Sequence, residues 1–218
     1  MAEKFHEDLA QLKTNIIEMG KLAKDMLCKA VLALKNQDTI LANSIIADKD
    51  KILDMDDEIE AKALQLLTLY QPMGVDIRTI GASLKIITYL TRVGRYGKDI
   101  AKIAITLSDE PPLAKLVSIP YMQQKVCEML SDAINAYDTK ELSKINPENF
   151  IKRDNDIDAL RYSIFRECIS YMMEDPKNIS RCANYVMVAR YLERCGDHAC
   201  KIAEKAHYMV NGKRVEIS

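Results

Sequence analysis

From Leu9 onward the apolar positions fall at Leu9, Leu12, Ile16, Met19, Ala23, Met26, Ala30 and Ala33, in steps that alternate between three and four. That is the seam of a helix packed in a bundle, and it predicts a first helix over 5–36. Asn36, Gln37 and Asp38 interrupt the pattern, and Asp38 is placed to cap a second helix over 39–70. That helix must stop before Pro72, because a proline drives its predecessor out of helical geometry. A third helix over 77–108, capped by Asp76, runs into Ser108-Asp109-Glu110-Pro111-Pro112, the clearest linker in the chain. The second half repeats the plan, with helices over 119–139, over 148–173 after Asn146-Pro147, and over 177–211 after Glu174-Asp175-Pro176. The expected fold is all-α: two tandem antiparallel three-helix bundles, the first repeat over 1–110 and the second over 111–218.

The repetition extends to single residues. The seam Ile86, Leu90, Val93, Gly97, Ile100, Ala104, Leu107 lies over Val188, Leu192, Cys195, Ala199, Ile202, Ala206, Met209, each pair 102 residues apart. A Leu-x-Arg-x-Gly core recurs at Leu90–Gly94 and Leu192–Gly196. Asp50-x-x-Leu53-Asp54 aligns with Asp154-x-x-Ile157-Asp158 at a spacing of 104, so a two-residue difference separates the blocks.

Composition narrows the function. Only 7 Gly and 6 Pro occur, and Trp is absent, so the core must be built from Leu, Ile, Ala and Met, which suits helices. A net charge of −1 removes the broad electrostatic case for binding nucleic acid. No apolar run approaches the ~20 residues that span a bilayer, and the N-terminus is charged from residue 3, unlike a signal peptide. A cytoplasmic protein is expected. Six cysteines are present without a C-x-x-C pair; a disulfide framework or zinc site is the alternative to the plainer reading, small buried hydrophobes in a reducing compartment. No P-loop, dinucleotide fingerprint or nucleophile motif appears, so no enzyme is expected. The Glu-x-x-His ligand spacing of di-iron bundle enzymes occurs at Glu3–His6, at the chain's N-terminal end. Cys195 lies three residues before His198 but on the apolar seam, and His198 reads as an exposed histidine.

The candidate chemistry is acidic. Glu193 and Asp197 stand one turn apart on one helix face, off the seam, toward solvent or the bundle's flank. Asp154 and Asp158 have the same spacing beside the stripe Ile157, Leu160, Ile164, Cys168. Two such pairs on adjacent helices can gather four carboxylates, whose mutual repulsion a hard cation would relieve. The competing expectation is a solvated face with ordinary Lys and Arg partners. In repeat one Asp50 and Asp54 keep the first pair, while Thr91 and Arg95 replace the second. Arg95 is expected to neutralise Asp54 and repel a cation, confining any complete metal site to repeat two.

At these residues the chain resembles the PhoU family. Tyr191-Leu192-Glu193-Arg194-Cys195-Gly196-Asp197-His198-Ala199, followed by Ile202-Ala203-Glu204, looks like that family's L-E-R-x-G-D-x-A…I-A-E helix. Leu67-Thr68-Leu69-Tyr70-Gln71-Pro72, followed by Asp76-Ile77-Arg78, resembles its Q-P…D-L-R junction. The resemblance covers nearly the whole chain. It implies two three-helix bundles, homodimers, and a negative regulator of phosphate uptake. Such a regulator acts at the cytoplasmic subunits of the phosphate ABC transporter and in many bacteria on a sensor kinase, reaching the membrane only through partners. It also implies iron or another divalent or trivalent metal on the acidic surfaces. That role carries to Glu193 and Asp197, to Asp154 and Asp158 as the partner pair, and less completely to Asp50 and Asp54. The alternative is a metal-free helical adaptor unrelated to phosphate, separable by its partners.

Overall fold

The computed structural model describes residues 2–110 and 118–217. Among them are six long helices and no strand: α1 (Ala2–Asn36), α2 (Thr39–Tyr70), α3 (Val75–Thr106), α4 (Ser118–Thr139), α5 (Pro147–Glu174) and α6 (Ile179–Asn211). Short 3-10 turns at Ser143–Ile145 and Pro176–Asn178 introduce α5 and α6. Pro111 and Pro112 of the expected linker lie outside the described residues.

The helix ends follow local chemistry. The Asp38 carboxylate accepts the Leu41 N–H at 2.9 Å, as expected for the cap of α2. Gln71 adopts the left-handed conformation and returns its N–H to the Leu67 carbonyl at 3.2 Å, closing α2 just before Pro72. Asn146 caps α5 with Pro147 in its first turn, where a missing N–H costs nothing. Asp76 differs from expectation: Gly74 precedes α3, and Asp76 sits inside its first turn, where a carboxylate favours the positive end of the helix dipole.

Every seam residue named from α1, α3 and α6 is buried. The widths of the buried stripes set the architecture. The stripes of α2 (Ala42, Ile45, Ile52, Ile59, Ala63, Leu66) and α5 (Phe150, Ile157, Ile164, Cys168) are narrow, as befits outer helices. Those of α3 and α6 extend over more than one face. Accordingly α1, α2 and α3 pack mutually, as do α4, α5 and α6, and the two repeats meet through α3 against α6 and α1 against α4. The buried side chains of both repeats form one continuous core. No described helix is long and apolar enough to cross a membrane.

Cys168, Cys182, Cys195 and Cys200 are buried as expected, but Cys28 and Cys127 are only half-buried. All six are free thiols.

Gly97 is where an added side chain would press on the backbone of a neighbouring helix. A Cβ there would lie 3.0 Å from the backbone of both Met26 and Leu27 on α1, and backbone cannot swing aside. Gly97→Ala is therefore expected to destabilise the protein by about 1–3 kcal/mol in urea unfolding. Gly81→Ala, on the exposed side of α3 with nothing within 4 Å of the added methyl, is expected to stabilise by roughly 0.5–1 kcal/mol. Equal effects would show that α3 does not press on the α1 backbone.

Candidate acidic site between helices α5 and α6

Gly196 positions the site. With no side chain there, α5 closes on α6: a Cβ on Gly196 would meet the Ile157 side chain at 3.2 Å and an Asp154 carboxylate oxygen at 3.5 Å. The Glu193–Asp197 pair thereby turns toward α5 and away from open solvent. Glu193 is buried, with 8% of its surface exposed, and Asp197, Asp154 and Asp158 are partly buried. The other three acids converge electrostatically on Asp154. Its carboxyl is pushed up to about 6, chiefly by burial and then by the charges of Asp197, Asp158 and Glu193, against the Cys200 thiol, which lowers it. Burial, and then Asp197, also raises Glu193.

Arginines hold this charge in place. Arg190 donates from Nη1 to both Glu193 oxygens, at 2.6 and 2.7 Å. Arg161 on α5 approaches the same carboxylate at 3.9 Å and stacks its guanidinium 4.3 Å over the Tyr162 ring. Arg194 donates to Asp197 at 3.2 Å. Each acid of the pair thus has an arginine three residues before it, one neighbouring position away on the helix. Spacing in the sequence could have signalled these arginines. Among the described residues, no three His, Cys, Asp or Glu side chains stand together as a metal-ligand group. The donor chemistry, crowded carboxylate oxygens, suits a hard cation, but arginines already engage both Glu193 oxygens and one Asp197 oxygen.

Repeat one is built differently from expectation. Ile52 stands against Gly94 as Ile157 stands against Gly196. Matching these contacts puts Lys49 and Leu53, not Asp50 and Asp54, at the positions of Asp154 and Asp158. One position is a turn of ~100° about the helix, and both Asp50 and Asp54 are exposed. Asp50 pairs at 3.6 Å with Lys49, and Arg95, exposed on α3, forms no ion pair with Asp54. The acid on the α2–α3 seam is Asp56, raised by burial and lowered by Thr91, with Asp57 and Glu60 raising it. Asp56 and Thr91 occupy the places of Arg161 and Glu193, so at this pair of positions the carboxylate lies on α2 in repeat one and on α6 in repeat two.

His198 is not the exposed histidine expected. It is buried, stacked on Tyr89 and Tyr96 of α3 with ring centroids 5.7 and 5.9 Å away. Tyr96 also stacks on Tyr191 at 5.4 Å. The His198 Nε2 has no hydrogen-bond partner. Burial, followed by the charges of Arg92 and Arg194, lowers it to about 4, so it is neutral at physiological pH.

A tandem three-helix repeat with an acidic patch on its last helix pair defines the class. The PhoU domain matches the chain twice, at residues 16–104 and 119–206. The phosphate-specific transport system accessory protein PhoU homolog of Caulobacter vibrioides is 36% identical over 212 residues, covering 97% of this chain and 91% of its own. The Clostridium acetobutylicum protein of the same description is 34% identical over 215 residues, covering 98% and 97%. The crystal structure of PhoU from Pseudomonas aeruginosa superposes with a TM-score of 0.89 at 30% identity, covering 96% of this chain and 100% of that one. The chain belongs to the PhoU family.

Two groups at the site titrate in opposite senses. The unfolded chain protonates His198 near 6.5 while the folded protein resists until about 4, so His198 costs stability as pH falls through that window. Folded Asp154 holds its proton up to about 6 whereas the unfolded chain releases it near 3.8, so Asp154 costs stability as pH rises. In metal-free protein, Asp154→Asn is expected to raise stability at pH 7 by about 1–2 kcal/mol after allowance for solvent screening. The gain should vanish by pH 4, and His198→Phe should reduce the loss on acidification. A pH-independent gain from Asp154→Asn would contradict the crowding of charge around it.

Proposed function

We propose that this protein is a negative regulator of phosphate uptake, acting by contact with the cytoplasmic subunits of a phosphate ABC transporter. The observation that carries this reading is the double PhoU domain at residues 16–104 and 119–206, with relatives described as accessory proteins of the phosphate-specific transport system. It acts in the cytoplasm, as a homodimer, without catalysing a reaction, and a sensor kinase is a second partner. Exposed Tyr162 beside the arginine-braced acids is a candidate contact, because tyrosine is enriched at interfaces. Docking can switch the transporter off only if the regulator binds its resting state more tightly than its active state.

The transporter's ATPase subunit is expected to co-purify with this protein. Affinity for the resting transporter should exceed that for the active one by on the order of tenfold, and expression in a PhoU-deficient bacterium should restore repression of phosphate uptake in rich medium. Equal affinity for both states would defeat the docking mechanism; no binding and no restored repression would favour a helical adaptor unrelated to phosphate.

A second reading concerns repeat two. The crowding that raises Asp154 favours a hard cation, iron or another divalent or trivalent ion, held by Asp154, Asp158, Glu193 and Asp197. Bound there, it would supply positive charge in place of Arg190 and Arg194, which compete with it for the same oxygens. Elemental analysis after reconstitution is expected to find metal in wild type and none in Glu193→Ala/Asp197→Ala. Arg190→Ala/Arg194→Ala should bind more tightly, and binding should weaken below about pH 6 as Asp154 takes up its proton. Wild-type protein without metal would leave the patch as a surface neutralised by its own arginines.

A further inference from the structure

Cys28 on α1 and Cys127 on α4 belong to different repeats and are 99 residues apart in sequence, yet their sulfurs face each other at 2.6 Å. Both are free and half-buried, whereas the other four cysteines are buried. The Gln123 amide stands 3.1 Å from each sulfur. A cleft of about 460 Å³, lined by Lys24, Gln124, Glu128 and Ser131 among others, opens onto the pair from solvent. The Cys195 thiol, by contrast, lies in the core. The pair is thus reachable by a small oxidant and sits on the α1–α4 seam, one of the helix contacts that join the repeats.

We infer that Cys28 and Cys127 form an oxidative modification site, at which a hydroperoxide converts the two thiols into a disulfide that staples repeat one to repeat two. The division of labour is asymmetric. The hydrogen bond with Cys127 and then the Lys24 ammonium favour the thiolate at Cys28, against burial, while the same hydrogen bond and burial keep Cys127 protonated. The thiolate is the nucleophile of sulfur chemistry. The Cys28 thiolate attacks one peroxide oxygen and breaks the O–O bond. The departing oxygen takes a proton and leaves as water when the peroxide is hydrogen peroxide, and Cys28 becomes a sulfenic acid. Cys127 sulfur, losing its proton, then attacks the Cys28 sulfur and displaces its oxygen as a second water. Two thiols are oxidised by two electrons and the peroxide is reduced by two, with all atoms accounted for. Little movement is needed, since a disulfide requires sulfurs about 2.05 Å apart.

The staple closes a long loop and pins α1 to α4, so oxidised and reduced protein differ in how freely the repeats can shift against each other. Intramolecular disulfides that close loops of this size raise stability substantially, independent of any change in the acidic site.

The test uses the full-length reduced protein, exposed to hydrogen peroxide and then alkylated. The expected result is loss of two hydrogens by intact mass and a Cys28–Cys127 cross-linked peptide in the digest. The protein should keep its subunit mobility on a non-reducing gel, and its Tm should rise on the order of 10 °C, reversed by dithiothreitol. Cys127→Ser should stop at a Cys28 sulfenic acid, trapped by dimedone, with no cross-link. Cys28→Ser should leave Cys127 unoxidised. Should either variant fail to fold, the wild-type peptide map decides by itself. Cys28 and Cys127 both still alkylatable after peroxide, Cys28 driven to sulfinic acid without a cross-link, or disulfides only between subunits would each overturn the inference.

Discussion

The architecture depends on the burial of α3 and α6 on more than one face. Each is the innermost helix of its own repeat, and each is also the other's neighbour across the molecule. A helix asked to satisfy three partners cannot carry a single narrow stripe. It needs small residues where backbones approach and a broad apolar surface elsewhere. Gly97 lets α3 come down on the α1 backbone, Gly196 lets α5 come down on α6, and the alanines along both seams keep the axes close. The outer helices α2 and α5 need only one stripe, and their remaining faces are free to carry charge.

The acidic site is a consequence of that closeness. Because α5 sits directly on Gly196, carboxylates from two helices share a partly dry space in which like charges raise one another. Uncompensated, such a cluster would cost stability, and the protein answers with guanidinium groups. Arg190 and Arg194 come from α6 itself and Arg161 from α5. Repeat one solves the same local problem with a single acid, Asp56, against the hydroxyl-bearing Thr91. The two halves share a backbone plan, but the electrostatic content of the shared position has been exchanged between helices.

The same multiplicity of contacts explains where expectation and structure part. The seam through Leu192, Cys195 and Ala199 was readable because one apolar face repeats at helical spacing. His198 lies beside that seam and looks like a surface residue until α3 arrives with Tyr89 and Tyr96 to cover it. Glu193 is likewise buried by a neighbour, not by its own helix. The pairing of Asp50 and Asp54 with Asp154 and Asp158 matched charges, whereas the fold matches Ile52 with Ile157. Apolar residues facing a glycine set the register, because only they are held by close packing. Exposed carboxylates are free to drift by one position.

The sequence by itself determined the six helices, the Asp38 cap of α2, the twofold repetition and the core-facing seams of α1, α3 and α6. All of these follow from interactions between residues close along the chain: helical spacing of apolar side chains, capping carboxylates and prolines that end helices. Only the tertiary structure decided which polar residues were covered, which acids met, and that Cys28 and Cys127 faced each other across 99 residues of chain. Those outcomes depend on which face each helix turns to its second and third neighbours. That choice belongs to packing between helices distant in sequence, and no local pattern records it.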